Sequence, residues 1–380
     1  VLLSSFAFAE NSYPIILLHG FIGWGRDEMN GYYYWGGKFD LETFLVQQGF
    51  EVYTVSVGPI SSNFDRAIET YYQIKGGQVD YGAVHSNEYD LVRIPKGKKY
   101  PGVYPQWDAE HPVHIIAHSM GGQTATTLER LLREASGKED SRLLGSSLNG
   151  WIKSITTIST PHNGTTLQPI ISGIFPFIQK LVVYLGSLQE GSTVETLFDF
   201  DLEQWGLARD PDEGFSKYMR RIRTSDLAYT QNFCTWDLSI AGAARINSNY
   251  QPDPDVYYFS YATFATRKAN RLNYHVPDEK MNWRIWSTGF LMGRSDKADT
   301  LWYENDGVVN TISMWGPGLN QPENHFQIDY SEPPAAGVWQ RMEKLHYDHE
   351  AVIGHKVDEV ELESVKGLFL NHCYLLYTLD

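Results

Sequence analysis

One string constrains this chain more than any other: Val113-His114-Ile115-Ile116-Ala117-His118-Ser119-Met120-Gly121-Gly122. Its first six residues form a short apolar run of the kind that fills a strand buried on both faces. Residues 121–134 then carry helix formers, with Leu128, Leu131 and Leu132 on one side. A strand that turns straight into a helix makes a tight, strained corner, and the corner lifts its side chain clear of the sheet. Crowding at such a corner demands small residues two before and two after it. Ala117 and Gly121 stand there. Ser119 is therefore read as a nucleophile on a strand-to-helix elbow, against the plainer reading of a turn that happens to carry serine.

Other runs suit the same architecture. Residues 13–20, YPIILLHG, read as a buried strand closed by glycine. Ile155–Ser159 reads as another, stopped at Thr160-Pro161, and Val256–Thr263 as a fourth. Apolar strands alternating with amphipathic helices predict an α/β fold with a mostly parallel central sheet and helices on both faces. The chain has 380 residues, and no Gly/Ser- or Pro-rich linker divides it. Residues 10–380 are thus expected to form one domain, with insertions at about 58–106 and 165–250.

Composition narrows the function classes. Lys plus Arg number 31 and Asp plus Glu 46, a net charge of −15, which argues against a nucleic-acid partner. Two cysteines, Cys234 and Cys373, exclude a disulfide-dense scaffold and leave one bridge open. The stretch Ile170–Leu188 comes nearest to a membrane span, but Pro176 and Lys180 interrupt it. Residues 1–9, VLLSSFAFA, end in Ala7-Phe8-Ala9 before Glu10. That pattern reads as the tail of a secretory signal peptide and predicts an extracellular protein.

A serine nucleophile needs an oxyanion hole, a base and an acid. His19-Gly20-Phe21 ends the first strand, which assigns the oxyanion donors to the backbone N–H groups of Phe21 and Met120. His19 is read as ordering that loop, not as the base. The expected chain order is Ser, acid, His. Asp306 lies in Glu304-Asn305-Asp306-Gly307, where the following glycine marks a turn. His325, His346, His349, His355 and His372 come later, and pattern alone leaves His346 and His349 level as bases. Asp348, beside His349, is an alternative acid.

At this point the strings LLHGFIGWGRDEM, SSNFDRA, VDYGAVH, HIIAHSMGGQT, TTISTPHNGTTL, ENDGVVNTISMWGP and YDHEAVIG have a likeness. From residue 17 to about residue 354 the chain resembles the zinc-containing triacylglycerol lipases of thermoalkalophilic bacilli and staphylococci. The resemblance implies an α/β-hydrolase fold and hydrolysis of carboxylic esters. It assigns Ser119 as nucleophile, Asp306 as acid and His349 as base, and it supports Phe21 and Met120 as oxyanion donors.

The resemblance also implies a structural zinc held by two Asp and two His. Asp65, His85 and Asp237 match three of those positions, but Leu91 stands at the fourth. Asp90 or Glu88 are substitutes to consider, since carboxylate oxygen binds zinc. The family's calcium site after the catalytic histidine falls here on Ala351 and Lys356-Val357, so no calcium is expected. Residues 165–188 are read as an apolar lid with hinges at Gly173 and Gly186, against the alternative of a buried core helix. The sequon Asn163-Gly164-Thr165 is expected to go unused, and Tyr32, Tyr33, Tyr34 and Trp35 are expected to pack the insertion, against the alternative of lining the mouth of the site. The expected function is a secreted lipase that meets lipid or ester substrate, with no transmembrane segment. The alternatives are a broad carboxylesterase or polyesterase of the same fold, and a catalytically inactive lipid-binding protein.

Overall fold

The structure is a computed structural model, and it describes residues 11–134, 139–167, 200–210, 212–228, 230–270, 273–319 and 324–380. The signal-peptide stretch and most of the lid reading lie outside the described residues.

Seven strands build the central sheet: β1 (Ile15–Leu18), β2 (Val52–Val55), β3 (Val113–His118), β4 (Ile152–Ile158), β5 (Tyr257–Tyr261), β6 (His325–Gln327) and β7 (Trp339–Arg341). Their spatial order is β6-β7-β5-β4-β3-β1-β2. Every neighbouring pair is parallel, with Leu17 opposite Thr54 on one side and Ile116 on the other. Parallel strands need crossovers, and helices on both faces supply them. Those that matter below are α1 (Leu41–Gln47), α2 (Asn63–Lys75), α3 (Ala83–Tyr89), α4 (Met120–Arg133), α5 (Cys234–Asp237), α6 (Trp286–Met292) and α7 (Glu359–Tyr377).

The period of two in a strand divides the core into two layers. Ile15, Leu17, Ile116, Ile158 and Phe259 face Leu41 and Leu45 of α1 and Phe369, Cys373 and Leu376 of α7. Ile16, Leu18, Ile115, Ala117 and Tyr258 face the opposite way, onto Ala67, Ile68 and Ile74 of α2 and Ala125, Leu128 and Leu132 of α4. Each fully buried Leu or Ile contributes about 1.5–3 kcal/mol. This explains the unbroken apolar runs: strands covered on both sides have no face to give to water. Asp358 caps α7 with a reciprocal bond to Glu361, which fixes where that cover begins.

Because the strands are parallel, their C-terminal ends gather at one edge. Gly20, Ser119, Ser159 and Thr263 follow β1, β3, β4 and β5 there. The two cysteines are buried and free, not bridged. Among the described residues, no helix is long and apolar enough to cross a membrane.

Candidate active site

Ser119 sits at φ 56°, ψ −132°, between the last residue of β3 and the first of α4. This left-handed backbone is strained for serine, and the surrounding bonds hold it. Its N–H donates to Ile158 O at 2.9 Å, and its C=O accepts from Gly122 N–H at 3.1 Å. Gly121 shows why the flanking position must be small: a Cβ there would lie 2.5 Å from Leu18 O and 2.7 Å from His19 O. Ala117 fits the other position with a single methyl packed in the core.

The structure brings Ser119, His349 and Asp306 together. His349 Nε2 lies 2.9 Å from Ser119 Oγ, and His349 Nδ1 lies 2.8 Å from Asp306 Oδ2. The acceptor-only carboxylate fixes the proton on Nδ1 and leaves Nε2 to accept from the serine. The backbone adds a second link, His349 N–H to Asp306 O at 3.1 Å. The turn read from Asp306-Gly307 aims the carboxylate. Its Oδ1 accepts Val308 N–H at 3.0 Å and Val309 N–H at 2.8 Å, while Oδ2 also accepts Thr263 Oγ1 at 2.7 Å. Thr263 in turn is bonded to Ser159 Oγ at 2.7 Å. Burial works against a charged His349, but the charge and hydrogen bond of Asp306 outweigh it and hold the imidazole above its ordinary pKa.

The other candidates are placed elsewhere. His346 bonds Asp278 Oδ2 at 2.9 Å and stacks on Phe264, away from the serine. Asp348 turns from its neighbour His349 to cap backbone N–H groups of Asn282 and Ala351, at 2.7 and 2.8 Å, and burial lifts its pKa to about 6. His325 and His372 are held by Pro317 O and by Thr156 and Tyr261.

The loop after β1 touches the nucleophile. A Cβ on Gly20 would stand 2.6 Å from Ser119 Cβ, so the backbone of residues 20–21 passes directly beside the elbow. His19 orders that loop: Nδ1–H donates to Gly20 O at 2.8 Å, and Nε2 accepts Val57 N–H at 3.1 Å. Burial drives its pKa down to about 3, so it is neutral. Arg66 of α2 holds the loop from below, reaching His19 O at 2.5 Å, Gly58 O at 2.8 Å and Thr124 Oγ1 at 3.0 Å.

The sequence reading missed two polar groups here, Tyr34 and His118. Tyr34 Oη lies 2.9 Å from Gly20 N and 2.7 Å from His118 Nδ1, and His118 Nε2 lies 2.9 Å from His349 O. The aromatic run after the oxyanion loop was the available signal, but its hydroxyl partner only becomes visible in three dimensions.

The residues matched to zinc do not make its donor set. Asp65, buried in α2, accepts His85 Nε2 at 2.8 Å, Asn232 Nδ2 at 3.2 Å on both oxygens, and Gln204 Nε2 at 3.3 Å. Amide NH₂ groups donate and cannot ligate a cation. Asp237 Oδ2 accepts Asn63 N–H at 2.6 Å, and burial with the nearby Asp65 charge lifts it to about 7. Leu91 offers no ligand atom, and among the described residues no three His, Cys, Asp or Glu side chains are placed to share an ion. Hydrogen bonds answer the Asp65 charge instead, so no step below passes through a metal. At the calcium position, Lys356 has Arg284 and Lys38 close enough to depress its pKa alongside burial. Asn163 of the sequon holds Gly316 O at 2.9 Å through its amide.

Sheet order, elbow and the Ser119–His349–Asp306 contacts define an α/β hydrolase with a serine-hydrolase constellation. The chain belongs to the family described as "Lipase-like, C-terminal domain", whose model matches residues 11–369. Lipase 1 of Staphylococcus aureus is 35% identical over 360 residues, covering 91% of this chain and 51% of that protein. The chain thus spans about half the length of the curated relatives it matches. EstA from Clostridium botulinum superposes with a TM-score of 0.89 at 37% identity, over 99% of this chain and 90% of the other. Lipase 1 from Pelosinus fermentans does so with 0.81 at 39% identity, over 94% and 97%.

Proposed function

We propose that this protein hydrolyses carboxylic esters, triacylglycerols foremost, through an acyl-enzyme on Ser119. The observation that carries this is the 2.9 Å contact between His349 Nε2 and Ser119 Oγ, backed by Asp306. Similarity to proteins named lipase supports the lipid substrate.

In the reading's first step, Ser119 Oγ attacks the ester carbonyl carbon while its proton passes to His349 Nε2. The carbonyl oxygen becomes an oxyanion facing the N–H groups of Phe21 and Met120. The first follows Gly20 past the elbow, and the second opens α4, where unsatisfied N–H groups point outward. Asp306 stabilises the imidazolium that forms. His349 then gives its proton to the leaving alcohol oxygen as the C–O bond breaks. Water, deprotonated by the same nitrogen, attacks the acyl carbon; the acyl–Oγ bond then breaks as His349 returns that proton to Ser119 Oγ, releasing the acid.

Ser119→Ala tests this. Hydrolysis of tributyrin and of a long-chain triacylglycerol should fall by at least ~10⁴-fold while the fold is kept. Unchanged hydrolysis would remove Ser119 from the reaction. A profile of rate against acyl length separates a lipase, fastest on long chains, from a short-chain esterase of the same fold.

A further inference from the structure

We propose that Tyr34 and His118 are positioning residues, joining the oxyanion loop to the backbone of the catalytic histidine through one directed chain of hydrogen bonds. The inference rests on the ester-hydrolase reading.

Chemistry fixes the direction of every bond in the chain. The His349 carbonyl only accepts, so His118 Nε2, 2.9 Å away, carries the ring proton. His118 Nδ1 is then a lone pair, and it accepts the Tyr34 hydroxyl proton at 2.7 Å. The Tyr34 oxygen accepts Gly20 N–H at 2.9 Å. The order is Gly20 N–H to Tyr34, Tyr34 to His118, His118 to His349 C=O, with each donor used once. Tyr34, His118 and Gly20 are all buried, so water does not replace a lost member.

Both ends of the chain matter to the reaction. Gly20 precedes Phe21, the residue assigned to the oxyanion, and His349 is the base. The chain thus sets the distance between where negative charge grows and where the proton goes. It also keeps His118 neutral. Burial and the adjacent His349 depress its pKa, and the Tyr34 proton occupies its free nitrogen. The two imidazole rings stand 4.7 Å apart, so a second cation at His118 would oppose the one that forms on His349. His355 is the other titratable group that faces His118, and burial drives it down to about 4, also neutral at pH 7. A phenyl ring would pack as well as the phenol. The hydroxyl between two polar partners is what packing leaves unexplained.

The test is Tyr34→Phe, assayed on a soluble p-nitrophenyl ester. Rates are taken per active site, counted by a p-nitrophenyl phosphonate that phosphonylates Ser119 Oγ and releases one p-nitrophenol per site. We expect kcat to fall about tenfold, with KM within about twofold. Affinity for an alkyl boronic acid, which forms a tetrahedral adduct on Ser119, should fall by the same factor as kcat. His118→Gln should also lower kcat, and joining it to Tyr34→Phe should cost no more than the larger single loss. Tyr33→Phe, whose ring lies under Arg26, is the neutral control. Wild-type kcat per site in Tyr34→Phe overturns the proposal, as do losses that simply multiply in the double variant. Full hydrolysis in Ser119→Ala would instead overturn the underlying reading.

Discussion

His349 is bonded to Asp306 twice, through Nδ1 to Oδ2 at 2.8 Å and through its backbone N–H to Asp306 O at 3.1 Å. The two residues lie 43 apart in sequence, yet neither can shift without the other.

Replacing the acid should expose what its charge does. Asp306→Asn keeps the backbone link but removes the carboxylate, so kcat should drop by about 10³–10⁴-fold. The pH profile should move as well. Only the neutral imidazole accepts the serine proton, so kcat/KM rises with pH through the His349 pKa. In the wild type the Asp306 charge holds that pKa above its ordinary value, and the rising limb lies above pH ~6.5. In the variant burial is opposed only by the more weakly acting Glu350 and Asp348, and the limb moves to lower pH. A limb that stays in place would separate His349 from the profile.

Thr263 tests the support behind the acid. Thr263→Val takes one donor from Asp306 Oδ2 and leaves Ser159 Oγ without its partner. We expect kcat lower by about tenfold and stability lower by ~1–3 kcal/mol. Urea unfolding and steady-state rates on one ester read both numbers.

Glu129 offers a stability test away from the chemistry. Burial in α4 lifts its pKa to about 8, and neither carboxyl oxygen has a hydrogen-bond partner. The native state therefore keeps a proton that the unfolded chain releases near pH 4.5. Between pH 4.5 and 8 the native state binds more protons, so this residue's contribution to stability declines as pH rises. Glu129→Gln removes the decline. The variant should be more stable than wild type at pH 8 by on the order of 4 kcal/mol, and about equal at pH 4. Parallel melting curves at the two pH values would contradict this.

The donor set around Asp65 makes a metal prediction. Purified wild-type protein should contain well below one zinc per chain, and a chelator should leave its melting temperature unchanged. Leu91→His restores the imidazole that the resemblance places there, and should bring stoichiometric zinc and a chelator-sensitive rise in melting temperature. Full zinc occupancy in the wild type would show that Asp237 and a carboxylate complete the site after all.

Local patterns were the legible part of this chain. β3 runs over the six residues read as a strand, and α4 begins at Met120, because apolar runs and helix periodicity are properties of contiguous residues. Ser119 and Asp306 followed from the local demands of an elbow and a turn. His349 did not separate from His346 by pattern, since both sit in one loop and only folding decides which ring meets the serine. Tyr34 reads as a packing residue, and nothing in the elbow string marks His118. Their roles come from partners up to 231 residues away, which no window of sequence contains. Leu91 signalled a departure from the ligand set that the resemblance implies, while the amides of Asn232 and Gln204 that donate to Asp65 lie far along the chain.

Asp65 and Arg66 are consecutive on α2, and they pull on different things. Asp65 gathers His85 of α3 with Gln204 and Asn232 from farther along the chain, and Arg66 grips His19 and Gly58 beneath the loop after β1. One helix is thus a shared beam under the ornament and the workshop. Warming that loosens the partners of Asp65 should loosen the hold of Arg66 on His19 and Gly58 too. Heat inactivation should then run ahead of melting of the central sheet, and activity lost on brief heating should return on cooling.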